Sequence, residues 1–183
     1  MKLDGTLDNL FDYLRQAKGC HGPHQPCKER LLLQYGRAFE PEALTTDELS
    51  LLEGHAARLG TPLEGFERKQ CFFNAQRLVT AGPDGPLYCE GYCYPKGGIP
   101  VHHAWLTLNG KVVDVTLHDR ETGEPVLGEF TTRLYVGISF ETRLVRSEML
   151  RTGSASTLLE SAMALEIDNE GSVTHIKHEH GHR

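Results

Sequence analysis

Long apolar stretches are absent from this sequence of 183 residues, and no segment of it is long enough to cross a lipid bilayer as a helix. Residues 1–5 also lack the apolar run of a secretory signal peptide. Cysteine is scarce, and five cysteines at irregular spacing do not form the framework of a secreted disulfide protein. We therefore expect a cytoplasmic protein with free thiols and no membrane partner.

An excess of basic residues is absent as well, because the formal net charge is −6. A surface that neutralises phosphate groups needs the opposite sign, so no nucleic-acid partner is expected. Hydrophobic residues make up 39% of the chain and charged residues 24%, as in ordinary globular proteins. Residues 1–183 are long enough to form a single domain with its own core, whereas the composition says nothing about the oligomeric state.

Helical patterns precede strand patterns along the chain. Apolar spacing and capping signals predict helices over residues 6–17 behind a Thr6 cap, 29–35, 46–60 behind a Thr45–Glu48 capping box, and from 71 to about 80. Alternation predicts strands over residues 87–94, 101–108, 111–117 and 133–140, with a loop at 121–125 and further helices over 141–150 and 157–165.

This order indicates an α+β fold in which N-terminal helices pack on an antiparallel β-sheet. The helical N-terminal part covers residues 1–82, the sheet 87–140, the C-terminal helices 141–165, and a flexible His-rich tail 171–183.

The dipeptide Asn109-Gly110 between two alternating segments is a strong hairpin signal. A two-residue loop pairs Leu108 with Lys111, which places His103 and Asp114 on one face of the sheet as diagonal neighbours. His102 then lies on the other, mostly apolar face. The register therefore favours His103 as the partner of Asp114.

Cys71 stands where a helical pattern begins, after three charged residues. The unpaired N–H groups at a helix N-terminus stabilise a thiolate and, later in a reaction, an oxyanion. A small buried hydrophobic residue is the alternative for this cysteine. Together with an imidazole and a carboxylate, however, a thiol at this position is typical of nucleophilic catalysis.

The stretch from Cys71 to Thr116 resembles the transglutaminase-like and papain-like cysteine enzyme superfamily. The resemblance is carried by Cys71 at a helix start, Glu90-Gly91-Tyr92, His103-Ala104-Trp105, and Asp114 followed by Thr116. It implies a papain-like or transglutaminase-like core and a catalytic triad of Cys71, His103 and Asp114, with the backbone N–H of Cys71 as an oxyanion donor. Papain-like enzymes carry a glutamine about two turns before the cysteine; residues 61–65 hold none, and Gln70 is the candidate substitute.

The implied activity is that of a thiol hydrolase or transferase acting on a protein, peptide or small amide substrate through an acyl-thioester on Cys71. Water as the acceptor gives a protease or a deamidase, and an amine gives a transglutaminase-type enzyme. A catalytically degenerate binding or regulatory module of the same fold, and a thioester-dependent acyltransferase, remain open. Trp105 shares the face of His103, where it either walls a substrate groove or packs as a core aromatic.

No metal and no organic cofactor is expected. The loop from Cys20 to Cys27 contains two cysteines and two histidines, but one proline-interrupted loop would close poorly around a tetrahedral zinc ion, so we expect a plain surface loop. The tail histidines are expected to be solvated. Cys89 and Cys93 share one strand face and are expected to pack in the core, whereas Glu90 and Tyr92 face the other way, toward a cleft or solvent.

Overall fold

A computed structural model describes residues 6–22, 25, 27–83, 85–95, 99–118, 125–127, 133–160, 162–168 and 171–178. Its α-helices are α1 (Thr6–Gly19), α2 (Lys28–Tyr35), α3 (Thr46–Arg58), α4 (Cys71–Thr80) and α5 (Thr142–Thr152). Its strands are β1 (Arg37–Phe39), β2 (Leu87–Pro95), β3 (Val101–Leu108), β4 (Lys111–His118), β5 (Pro125–Leu127), β6 (Arg133–Phe140), β7 (Ala162–Ile167) and β8 (Ser172–His178). The fold is mixed α+β, as the order of the sequence patterns predicts.

All eight strands belong to one sheet, in the order β5-β4-β3-β2-β6-β8-β7, with β1 beside β6. Strand β6 pairs with β1 through Tyr135–Gly137 and with β8 through residues 139–140, so these two strands share one edge of β6. The β6–β8 pair is parallel, which corrects the expectation of a purely antiparallel sheet.

The short strand β1 also curls the sheet. Just beyond it, Glu40 forms a bridge with Lys111 at the start of β4. Strands β4, β3, β2, β6 and β1 are thereby connected into a ring, and a small set of buried side chains fills its interior: Phe39, Cys89, Cys93, Trp105, Val112 and Tyr135. The other face of the sheet carries the larger core, against which the helices pack.

Gly137 makes room for the indole of Trp105 inside this ring. Gly91 and Gly137 are direct cross-strand partners, and Gly91 also pairs with His103. A Cβ atom at residue 137 would come within 2.5 Å of the Trp105 ring. The absence of a side chain at this position therefore allows the indole to lie against the backbone beside His103.

Helix α3 is tied to the hairpin that joins β3 and β4. The expected capping box is confirmed, since the side chains and backbone amides of Thr45 and Glu48 bond reciprocally. The Glu48 carboxylate also accepts hydrogen bonds from Lys111 Nζ at 2.9 Å and Asn109 Nδ2 at 2.8 Å. The bond from Lys111, with those from Thr45 and Asn109, lowers the pKa of Glu48 to about 2.

Two expectations for the C-terminal region are wrong. Residues 162–167 form strand β7 rather than the end of a helix over 157–165, and residues 172–178 of the expected flexible tail form strand β8. Strand pairing in the folded protein overrides the local pattern, because β7 pairs with β8 and β8 pairs with β6. Strand β1 was not predicted, and β5 begins at the end of the expected loop. The Thr6 side chain, residues 121–124 and residues 179–183 lie outside the described residues.

In the part of the chain that the structure describes, no helix is both long enough and apolar enough to cross a membrane.

We predict that Gly137→Ala lowers the free energy of unfolding by about 1–3 kcal/mol, because the new methyl group displaces the Trp105 ring. Gly54→Ala is the matched control: nothing lies near a Cβ atom at this exposed position in α3, so the change should stabilise by about 0.4–1 kcal/mol. Urea unfolding of both variants measures the difference. Equal effects of the two substitutions would contradict the packing described for Trp105.

We also predict an acid-sensitive link between α3 and the hairpin. The pKa of Glu48 is lower in the folded than in the unfolded protein. Its contribution to the free energy of unfolding is therefore present above about pH 4.5 and is lost as the pH falls toward about 2. In Glu48→Gln, the decline of unfolding free energy over this range should be shallower than in the wild type. Glu53→Gln, at an exposed carboxylate on the same helix, is the control. Identical pH profiles for wild type and Glu48→Gln would contradict the link.

Candidate active site

The hairpin register that singles out His103 is confirmed. Leu108 pairs with Lys111 and Leu106 with Val113, around a turn in which Asn109 and Gly110 both have positive φ angles. This is the backbone of a two-residue loop whose twist matches the strands.

Beyond the Leu106–Val113 pair, β3 and β4 are connected by side chains rather than by paired backbone. His103 Nε2 lies 2.7 Å from Asp114 Oδ2, and both residues are buried, with exposed fractions of 5% and 0%. His102 lies on the opposite face and contacts Glu90 instead, at 3.1 Å.

Four donors surround the Asp114 carboxylate. His103 Nε2 and the Tyr135 hydroxyl reach Oδ2, the hydroxyl at 3.0 Å, while the backbone N–H groups of Thr116 and Leu117 donate to Oδ1 at 3.0 and 3.1 Å. Burial by itself would raise the pKa of Asp114, but the charge of His103 and these hydrogen bonds outweigh it and lower the pKa. The carboxylate is therefore ionised, although no water reaches it.

Cys71 is the first residue of α4, as the sequence predicts, and its thiol is half-buried. The thiol lies close enough to the imidazole of His103 to help raise the pKa of that ring. Because Nε2 of the ring is already bonded to Asp114, the contact with sulfur falls to Nδ1. The structure thus brings together the three residues of the predicted triad.

The imidazole of His103 is held in its protonated form. Burial would lower its pKa, but the charge of Asp114, the bond to that carboxylate and the nearby Cys71 thiol raise the pKa to about 10. A protonated imidazole beside a thiol favours the thiolate, which is the nucleophilic form of cysteine. By contrast, burial raises the pKa values of Cys89 and Cys93 to about 12, and both pack in the ring interior as expected.

Aromatic side chains pack around the imidazole of His103. The Trp105 ring stacks on His103 with a centroid distance of 6.3 Å and an interplanar angle of 16°, and Trp105 packs edge-on against Tyr135 at 5.1 Å. Trp105 is 1% exposed, so it is a core aromatic and does not wall a substrate groove. Tyr135 was missed by sequence reasoning, because its contact with Asp114 depends on which strands neighbour each other.

The start of α4 is anchored to β4 by Asn74, which sequence reasoning also missed. Its amide nitrogen donates to the Glu67 carbonyl at 2.6 Å and to the Thr116 hydroxyl at 3.0 Å. The only available signal was its position one turn after Cys71 on the same helix face. Lys69, with a φ angle of 66°, turns the chain into the helix at a cost on the order of 1 kcal/mol.

Gln70 lies directly before this helix. It is exposed and occupies the N-cap position, and its side chain makes no capping hydrogen bond. The first backbone hydrogen bond of α4 runs from Asn74 N to Gln70 O, so the N–H of Cys71 has no partner within the helix. The Cys71 N–H is therefore available as a donor at the start of the helix, and Gln70 precedes it directly in the chain.

The strand residues Glu90 and Tyr92 are buried on the larger core face, so the expectation of a solvated face is wrong for them. Glu90 accepts hydrogen bonds from the Tyr88 hydroxyl at 2.9 Å and from the backbone N–H groups of Leu158 and Leu159 at 2.7 and 3.2 Å. This carboxylate fixes the segment after α5 to the sheet. A metal-compatible cluster lies elsewhere, among His21, Cys27 and Glu29.

Comparisons of the chain with protein-family models, with curated proteins and with solved structures gave no match. The function therefore has to be inferred from the geometry of the site itself.

We predict that Asp114→Asn lowers the pKa of His103 far below about 10, because burial is then opposed only by the interaction with Cys71. In the wild type, the stability that His103 contributes is present below pH 6.5 and is lost as the pH rises through about 10. NMR titration of the ring nitrogens measures the pKa of His103 in the wild type and in Asp114→Asn. Tyr135→Phe is the matched control: it removes one donor to Asp114 but keeps the charge, so His103 should stay protonated at neutral pH. An unchanged His103 pKa in Asp114→Asn would contradict this electrostatic arrangement.

Proposed function

We propose that this protein is a cysteine-dependent enzyme that cleaves or transfers at an amide or peptide bond through an acyl-thioester on Cys71. The observation that carries the proposal is the single imidazole of His103, bonded through Nε2 to a buried carboxylate and close enough to the half-buried Cys71 for that thiol to help raise its pKa. Nucleophilic thiol catalysis requires this combination: a sulfur that a substrate can reach, a proton carrier, and a group that fixes the carrier.

The first chemical step is attack of the Cys71 thiolate on the carbonyl carbon of the substrate. The carbonyl π electrons move to oxygen, and the backbone N–H of Cys71 at the start of α4 is the proposed first donor to that oxyanion. Collapse of the intermediate breaks the C–N bond, and the proton on His103 Nδ1 passes to the leaving nitrogen. The products are a free amine or ammonia and an acyl-thioester on Cys71.

The second step transfers the acyl group to an acceptor. Neutral His103 accepts a proton from the incoming nucleophile, which attacks the thioester carbon and releases the Cys71 sulfur. Water as acceptor gives the activity of a protease or a deamidase, and an amine gives that of a transglutaminase. Asp114 holds the ring in one orientation and stabilises its positive charge in both steps.

Gln70 is proposed as the second oxyanion donor. Its exposed side chain is free of a capping bond and lies next to the nucleophile in sequence. Val101, which is 55% exposed and lies on the same face of β3 as His103, offers an apolar contact for the substrate near the thiol.

A transglutaminase-like or papain-like core is proposed on the same grounds. Support comes from the cysteine at the start of a helix that packs on the sheet, and from His103 and Asp114 on the next two strands after β2. The order Cys, His, Asp along the chain is that of the superfamily that the sequence resembles.

The experiment is labelling with a peptide-like electrophile, such as a vinyl sulfone, followed by mass spectrometry of the adduct. We predict one adduct per chain, on Cys71, formed at least about tenfold faster than any adduct on the exposed Cys20. Turnover of a peptide and amide library should fall by at least about 10³-fold in Cys71→Ala, with the fold intact by circular dichroism. Cys20→Ala is the matched control and should behave as the wild type.

Two results would contradict the proposal. Equal labelling of Cys71 and Cys20, with no turnover of any library member, would indicate a degenerate binding module. Acylation of Cys71 by a carrier thioester alone, without amide cleavage, would indicate an acyltransferase.

A further inference from the structure

The junction between α1 and α2 places three side chains with metal-binding atoms close together. His21 follows the end of α1, Cys27 is the N-cap of α2, and Glu29 lies in the first turn of α2. The imidazole nitrogen, the thiol sulfur and a carboxylate oxygen all lie within 4.8 Å of one another. Cys27 and Glu29 are buried, whereas His21 is exposed.

The two oxygens of the Glu29 carboxylate have different surroundings. Oε1 accepts a hydrogen bond from the Tyr92 hydroxyl at 2.6 Å and lies 3.9 Å from Lys28 Nζ. Oε2 faces the other two side chains, 3.3 Å from Cys27 Sγ and 3.9 Å from His21 Nε2. The hydrogen bond at Oε1 orients the carboxylate and leaves Oε2 for an ion, as second-shell partners do in known metal sites.

These separations are close to those of a tetrahedral zinc site. Metal–sulfur bonds near 2.3 Å and metal–nitrogen or metal–oxygen bonds of 2.0–2.2 Å place neighbouring ligand atoms about 3.3–3.6 Å apart. The sulfur–oxygen distance already lies in this range, the nitrogen–oxygen distance of 3.9 Å exceeds it, and the sulfur and nitrogen lie within 4.8 Å of each other. Coordination therefore requires the exposed His21 ring to move toward the other two ligands.

We propose that His21, Cys27 and Glu29 form a binding site for a zinc-like divalent transition-metal ion. A thiolate, an imidazole and a carboxylate are the ligand types that Zn²⁺ takes, and thiolate disfavours Mg²⁺ and Ca²⁺. Coordination replaces the hydrogen of the Cys27 thiol, which leaves to solvent as a proton. The charges of thiolate and carboxylate then balance the two positive charges of the ion.

The exposed ligand His21 lines a surface depression of about 580 Å³ together with Arg15, Lys18, Gly19 and Arg30. Because this lining is basic, a small anion is a suitable fourth ligand from this side, and water is the other. The site differs from the one considered for the Cys20–Cys27 loop, because Glu29 comes from the following helix and supplies the ligand that a single loop could not.

The proposed ion would join α1 and α2 to the sheet. Tyr92 is part of β2, and its hydroxyl is bonded to the ligand Glu29, so metal, carboxylate and tyrosine form one continuous connection. This site is separate from the Cys71 centre, and its existence does not depend on the proposed enzymatic activity.

The test is titration of the full-length protein with Co²⁺ and Zn²⁺ after removal of metal with a chelator. We expect one Co²⁺ per chain with a sulfur-to-cobalt charge-transfer absorption, displaced by Zn²⁺, and a higher melting temperature with Zn²⁺. Cys27→Ser should abolish the charge-transfer band, and His21→Gln should weaken Zn²⁺ binding by at least about tenfold. His21 is exposed, so its variant should fold whether or not Cys27→Ser does.

Matched control variants test whether other thiols or histidines bind the metal. Cys20→Ser, Cys71→Ala and His175→Gln, the last at an exposed position of β8, should each keep the band and the stoichiometry of the wild type. The proposal is overturned if the band survives in Cys27→Ser, if it vanishes in Cys20→Ser or Cys71→Ala, or if Zn²⁺ binding is unchanged in His21→Gln.

Discussion

The hydrogen bond between His103 and Asp114 is the interaction on which the candidate site depends. It forms only because the Asn109-Gly110 turn fixes the register that puts both side chains inside the ring of strands. A register shift of one residue would turn every side chain of the hairpin to the opposite face and would bring His102 inward instead. Gly137 and the Glu48 contacts at the turn serve the same geometry, since Gly137 makes room for the stacked indole and Glu48 holds the hairpin against α3.

A buried charge pair of this kind needs support from its surroundings. Taking a carboxylate and an imidazolium out of water is costly, and the cost is offset here by the four donors around Asp114. The same buried environment suits the proposed chemistry. The electrostatic interaction between His103 and Asp114 is weakly screened there, and the imidazole ring is held in place. Stability and proposed chemistry are thus coupled through one carboxylate: a change at Asp114 acts on the fold and on the state of His103 together.

Local signals predicted much of the site, whereas long-range pairing could not be predicted. The turn at Asn109, the capping box at Thr45 and the helix start at Cys71 each depend on residues within a few positions, and all three are confirmed. Tyr135, Asn74 and Glu29 were missed, because their roles follow from which elements become neighbours in space. The segment Ala162–Ile167 shows the same limit: its alanine, methionine and leucine residues favour a helix in isolation, but pairing with β8 makes it a strand.

The measurement that tests the central claim most directly is the rate of Cys71 alkylation at one mildly acidic pH in the wild type and in His103→Gln. If the imidazole of His103 acts on the sulfur, Cys71 should be alkylated at least about tenfold faster in the wild type than in His103→Gln. Equal rates in the two proteins would show that His103 does not act on the sulfur and would contradict the account.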